Sequence, residues 1–229
     1  MFKYNSHRQK SKRPVGHLLI LSLLIVVHYA FGFDFDRLQK TLISKFGSSS
    51  VKMLQEWKVL LSDPKTQSDP DKLKSVNDFF NRRINFSDDT VVWGKTDYWA
   101  TPLETIGKNA GDCEDFVIAK YFSLKDMGMP IQKLRLTYVK AKIGGPNSNI
   151  TQAHMVLAYY ATPDAEPLVL DNLISDIRPA SRRPDLIPVF SFNSDGIWAA
   201  GATGASSGSV DRLSKWKELV SRMQAEGFE

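Results

Sequence analysis

The single cysteine of this 229-residue chain, Cys113, lies in Gly111-Asp112-Cys113-Glu114-Asp115, among three carboxylates. A thiol reacts as its anion, and each nearby carboxylate resists that charge. Two readings follow. Cys113 is a buried inert thiol, as free cysteines commonly are, or a nucleophile whose thiolate is stabilised from elsewhere in the fold. A cysteine nucleophile needs an imidazole beside it and a third group to orient the ring. His7, His17 and His28 fall within the first 32 residues, so His154 is the only histidine beyond them. Asp171 is the candidate third group. If His154 and Asp171 face each other in an antiparallel hairpin, a four-residue loop, Ala161 to Asp164, joins the strands, and the two side chains share one face. The other ring nitrogen would then face the helix bearing Cys113. Each residue also has a plainer reading: His154 as a satisfied core histidine, and Asp171-Asn172 as the start of a turn.

The elements that must position these groups begin after a distinct leader. Lys3, Arg8, Lys10, Lys12 and Arg13 form a basic start, Leu18 to Val27 is almost wholly Leu, Ile and Val, and Ala30-Phe31-Gly32 offers small residues where a signal peptidase cuts. The apolar run is short of the roughly 20 residues that span a bilayer, so residues 1–32 read as a secretory signal, with a retained anchor as the alternative. All five charges in this stretch are basic. Of 30 Lys and Arg, 25 remain, against 25 Asp and Glu. The expected mature protein is formally neutral, with no basic stripe for nucleic acid. A lone cysteine in an oxidising compartment forms no internal disulfide and needs another reason to be there.

Residues 33–90 read as a helical part. Leu38, Leu42 and Phe46, then Val51, Leu54 and Leu61, keep helical spacing on either side of Gly47-Ser48-Ser49-Ser50. Asp69-Pro70 reads as a cap followed by proline at the first helical position, with Leu73, Val76, Phe80 and Ile84 on one face. Residues 91–229 read as the core. Thr101-Pro102-Leu103-Glu104 has the capping-box pattern. A helix from about Asp112 to Met127 places Cys113, Val117, Tyr121 and Leu124 on one face. From Leu134 the period changes to two, and the runs at 154–160 and 168–171 are apolar enough for inner strands. Residues 193–208, rich in Gly, Ser and Ala, read as a mobile surface loop. A last helix carries Leu213, Trp216, Val220 and Met223 on its apolar side. The fold class expected is α+β.

Four segments together resemble the bacterial transglutaminase-like cysteine proteases of the LapG type: Trp99-Ala100-Thr101-Pro102-Leu103-Glu104, Gly111-Asp112-Cys113-Glu114-Asp115, Ala153-His154-Met155-Val156-Leu157 and Val169-Leu170-Asp171-Asn172. The resemblance implies a transglutaminase-like, papain-like core with the nucleophile at a helix start packed on an antiparallel sheet. It implies catalytic roles for Cys113, His154 and Asp171, and a calcium requirement near the nucleophile. Clustered carboxylates suit a hard cation, although acids also favour the first turn of any helix. Asp112 and Glu114 are the leading calcium candidates, followed by Asp115 and then Asp97. The resemblance further implies a periplasmic enzyme that cleaves the N-terminal region of a large biofilm adhesin. An inner-membrane cyclic di-GMP receptor of the LapD type would inhibit it. Acyl transfer to an amine, and a secreted binding module using the Trp93 and Trp99 region, remain alternatives.

Overall fold

Leu38 and Leu42 of α1 (Phe35–Phe46), with Leu54, Trp57 and Leu61 of α2 (Val51–Ser62), are buried, which is why their helical spacing was visible. The computed structural model describes Met1 and residues 32–62, 67–145, 147–202, 204, 210 and 213–228. The basic start and apolar run of the leader lie outside the described residues. Among the described residues, no helix is long and apolar enough to cross a membrane.

The next helix, α3 (Asp69–Arg83), is capped one residue earlier than expected. Ser68 accepts the Asp71 N–H, and Pro70 occupies the first turn, where its missing N–H has no intrahelical partner to lose. After β1 (Asn85–Phe86) and the short α4 (Asp89–Val92), α5 (Pro102–Lys108) opens with the expected capping box: Thr101 accepts from Glu104 N, and Glu104 returns the bond to Thr101 N at 2.9 Å. Asn109 closes α5 in the left-handed region, φ 51°, a conformation that asparagine tolerates better than most residues. β2 (Ala110–Gly111) then pairs in parallel with β1 and delivers the chain to α6 (Cys113–Asp126).

Helix α6 departs from the one-faced reading. Every residue from Asp115 to Leu124 is buried, because α6 packs against α3, α5 and the sheet at once. Such a helix has no solvent face for periodicity to reveal. Trp57, 0 % exposed, donates its indole N–H to Ser123 on α6 at 2.8 Å, tying the helical part to the core.

The main sheet is antiparallel and contains β3 (Leu134–Lys142), β4 (Thr151–Tyr159), β5 (Leu168–Leu170), β6 (Arg178–Pro179), β7 (Leu186–Asn193) and β8 (Gly196–Ala199), in the order β6-β5-β4-β3-β7-β8. Three findings correct the sequence reading. First, Leu157 pairs with Leu170 and Tyr159 with Leu168, so Asp171 stands level with Val156 rather than His154. The Tyr160 N–H carries the β3–β4 ladder on to Lys133 O at 2.8 Å, and Pro167 has no N–H to give. The β4–β5 ladder stops at Tyr159 and Leu168, and the connection lengthens to residues 160–167. The shift is two residues, which keeps His154 and Asp171 on one face. Second, the stretch expected to be a mobile loop contains β8, with Trp198 buried. Asn193 makes the turn by accepting from Asp195 N and Gly196 N. Residues 203 and 205–209 lie outside the described residues. Third, β7 was not foreseen, because Pro188 reads against a strand. It sits where the β3–β7 register shifts, a place where proline is tolerated.

The final helix, α7 (Ser214–Glu226), stacks Trp216 on Phe122 of α6 at 5.6 Å and buries Glu226 against Thr101. The Trp57 site gives the first prediction. Trp57→Ala removes a large buried ring and the bond that Ser123 accepts from it, so urea unfolding should show a loss of about 3–5 kcal/mol. A loss below about 1 kcal/mol would mean that α2 does not anchor α6.

Candidate active site

Cys113 is the first residue of α6, and Asp115 fixes the turn that carries it. The Asp115 carboxylate is fully buried. One oxygen accepts the Ala100 N–H at 2.7 Å and the other accepts the Asp112 N–H at 3.3 Å. Gly111 is required there: a Cβ at that position would lie 2.7 Å from Asp115 Oδ2. The Gly-Asp-Cys-Glu-Asp run is therefore a structural unit before it is a chemical one.

Around the thiol the acids gather tightly. The Cys113 S–H donates to Glu114 Oε2 at 3.0 Å. Asp89, Asp97 and Glu114 form one group of potential ligand atoms, Asp89, Asp112 and Asp115 a second, and Asp112, Cys113 and Glu114 a third, each within 4.8 Å. All four sequence candidates, Asp112, Glu114, Asp115 and Asp97, thus reach these groups. Asp89 was missed. It opens α4 after Ser87-Asp88, where an acid reads as helix capping, and only the tertiary fold carries it to α6.

Asp89 is 3 % exposed; one of its oxygens accepts the Tyr98 N–H, and the other, like Asp112 Oδ1, is buried with no partner among the described residues. Burial, and then mutual repulsion, pushes the Asp112 carboxyl well above its usual range. Burial raises Asp115 and Asp89 as well, against the amide bonds they accept. Orphaned oxygens on crowded acids fit a hard divalent cation, which takes six to eight oxygen ligands and compensates their charge. The same crowding acts on the thiol. Burial, then the charge and bond of Glu114, drives Cys113 above its ordinary range, while the Met155 amide works the other way.

His154 and Asp171 meet on the sheet. His154 Nε2 donates to Asp171 Oδ1 at 2.8 Å, and both groups are buried. Asp171 also accepts from Leu173 N at 3.0 Å and, on its other oxygen, from Arg183 Nη2 at 2.7 Å. Burial opposes its charge, yet the bonds and charge of His154, with those of Leu173 and Arg183, hold it at about 2. Cys113 lies against β4 at Met155, the residue after His154, whose amide addresses the sulfur. Among the described residues no hydrogen bond joins the sulfur to the imidazole; Glu114 holds the thiol instead. The expectation that the free ring nitrogen faces Cys113 is thus not met by a bond in this arrangement.

A family model for bacterial transglutaminase-like cysteine proteinases (BTLCP) matches residues 55–187, a span that includes every residue of this site. The chain belongs to this family. Solved structures of Legionella pneumophila LapG agree with it. The EGTA-treated form is 40 % identical, with a TM-score of 0.72, covering 84 % of this chain and 98 % of that one. The calcium-bound form is 41 % identical, with a TM-score of 0.70, covering 82 % and 98 %. A comparison with curated proteins gives no significant match. The chain is thus a transglutaminase-like cysteine proteinase, with an α+β fold in which a helix beginning at the only cysteine packs on an antiparallel sheet.

For this proteinase the acid cluster makes a direct prediction. With divalent cations chelated, Glu114→Gln removes the nearest negative charge from Cys113, so iodoacetamide alkylation at pH 8 should accelerate, about tenfold per pKa unit recovered. An unchanged or slower rate would show that Glu114 does not suppress the thiolate.

Proposed function

We propose that this proteinase is a calcium-dependent endopeptidase of the periplasm that works through Cys113, His154 and Asp171. The observation supporting the reading is the position of the only thiol, at the first residue of α6 and against the Met155 amide, one residue from an imidazole held by a buried carboxylate. Cys113 as thiolate attacks the scissile carbonyl, and first-turn amides of α6, its own among them, stabilise the oxyanion. His154, oriented by Asp171, protonates the leaving amine and then deprotonates the water that opens the thioester.

Asp89, Asp97, Asp112 and Glu114, with Asp115 at the rear, are the residues that would hold calcium. Bound there, the cation would neutralise the acids and draw Glu114 away from the thiol. Calcium-bound and EGTA-treated forms of Legionella pneumophila LapG support this reading. The substrate proposed is the N-terminal region of a large biofilm adhesin, cut at a small-residue Ala-Ala site and so released from the cell surface. The leader takes the enzyme to the periplasm, and an inner-membrane cyclic di-GMP receptor of the LapD type holds it inactive by covering the Cys113 groove.

Purified chain incubated with the adhesin N-terminal region should cut it in calcium and not in EGTA, and Cys113→Ala should abolish cutting without unfolding the protein. Cleavage by Cys113→Ala would rule out the covalent route. Calcium at 100 times its dissociation constant should add about 2.7 kcal/mol of stability, an increment that Asp89→Asn or Asp112→Asn reduces. A melting temperature indifferent to EGTA would remove calcium from the reading. The receptor's periplasmic domain at saturation should stop cleavage; undiminished cutting with the receptor bound would end the occlusion model.

A further inference from the structure

We propose that Arg183 is a positioning residue of the proteinase: its guanidinium keeps Asp171 ionised and turned toward His154. The inference rests on the catalytic reading of His154 and Asp171 given above.

Arg183 lies just past a single 3-10 turn, Ala180–Arg182. Nothing in its local sequence distinguishes it from Arg182, which is exposed. Arg183 is 2 % exposed. Its Nη2 donates to Asp171 Oδ2 at 2.7 Å and to Asp185 Oδ2 at 2.8 Å, and its Nε donates to Asp185 Oδ1 at 3.0 Å. The two oxygens of Asp171 are therefore divided, one for the imidazole and one for the guanidinium. That division fixes the plane of the carboxylate as well as its charge. A buried carboxylate facing a neutral imidazole alone would be an uncompensated charge, and protonation would relieve it. Arginine prevents this because its guanidinium stays charged, and its planar fork bridges two acids where an ammonium acts as a single point.

The groups facing Asp171 come from each packed element. His154 comes from β4, Arg183 and Asp185 from the segment before β7, and the Leu173 amide from its own strand end. From α6 comes Lys120, wholly buried, whose Nζ has no hydrogen-bond partner among the described residues. Burial lowers Lys120 to about 7, against the pull of Asp171. The charges of Asp171, Arg183 and Asp185 sum to one negative charge beside His154. Without Arg183 the pair would retain a proton to higher pH, since a cation at this range commonly shifts a carboxylate by about 1–3 units.

The test is the titration of His154, read by nitrogen-15 NMR in the calcium-loaded full chain labelled at histidine and assigned by the signal lost in His154→Ala. In Arg183→Met the midpoint should rise by about one pH unit, and Arg183→Lys should restore most of that shift. Where Arg183→Met does not fold, Asp185→Asn provides the second arm. It leaves the guanidinium less balanced and should move the midpoint downward. A folded Arg183→Met with an unmoved midpoint, or Asp185→Asn with a midpoint that rises or stays, overturns the inference. Adhesin cleavage by His154→Ala would instead overturn the catalytic reading, and with it any part for Arg183 in catalysis, whatever the titration shows.

Discussion

The buried carboxylate of Asp115 is the contact on which the site depends. By accepting the amides of Ala100 and Asp112 it joins the loop before α5 to the first turn of α6. Both segments are then held from outside. Arg222 of α7 reaches Trp99 O, Tyr98 and Glu104, and Glu226 accepts from Thr101 at 2.6 Å. The short connection between α4 and α5 thus cannot drift, and Asp97 and Asp89 are delivered to the neighbourhood of the thiol. A carboxyl group so placed is costly unless it is hydrogen-bonded, so the loop and the helix turn order together.

Two anionic centres built this way behave in opposite senses. At Asp171, burial is outweighed by an imidazole, an amide and a guanidinium, and the carboxylate falls to about 2. A depressed carboxylate contributes stability that is present above its unfolded pKa and is lost only as pH falls through the folded value. Among the described residues, the ion pair that reaches the acids around Cys113 is that of Lys215 with Asp97 at the rim, and burial and repulsion raise Asp112 and the thiol together. One centre holds its carboxylate ionised with groups of the chain itself. The other has the charge of a site that an external cation completes.

Family membership and this contrast explain each other. A cysteine proteinase needs its thiol as an anion, and the acids beside Cys113 oppose that state for as long as they remain uncompensated. The Glu114 bond to the thiol is the structural form of that opposition. Relieving it requires a change in charge, rather than a change in fold, because α6 is packed on all sides and cannot shift without disturbing the core.

The amino-acid sequence by itself determined the local features. Helical spacing identified α1, α2 and α3, the Thr101 box started α5, and the uniqueness of Cys113 and His154 singled them out, because each signal lies within a few residues of chain. Hairpin spacing offered Asp171, and the resemblance added the implied catalytic and calcium roles. Tertiary structure decided the remainder. The hairpin register was decided in the sheet, where Leu157 meets Leu170 and Tyr159 meets Leu168 across a connection longer than the spacing suggested. β7 was hidden by Pro188, which only a shifted partner strand permits. Asp89 and Arg183 look like a helix cap and one of two adjacent arginines, and they reach the acid cluster and Asp171 only when α4 and the segment after β6 fold back onto the site. A charge acts through space with no regard to chain distance, so residues that tune the site electrostatically leave no periodic or local trace. The direction of the thiol, toward Glu114 rather than His154, was likewise a balance among neighbours that only the folded chain brings together.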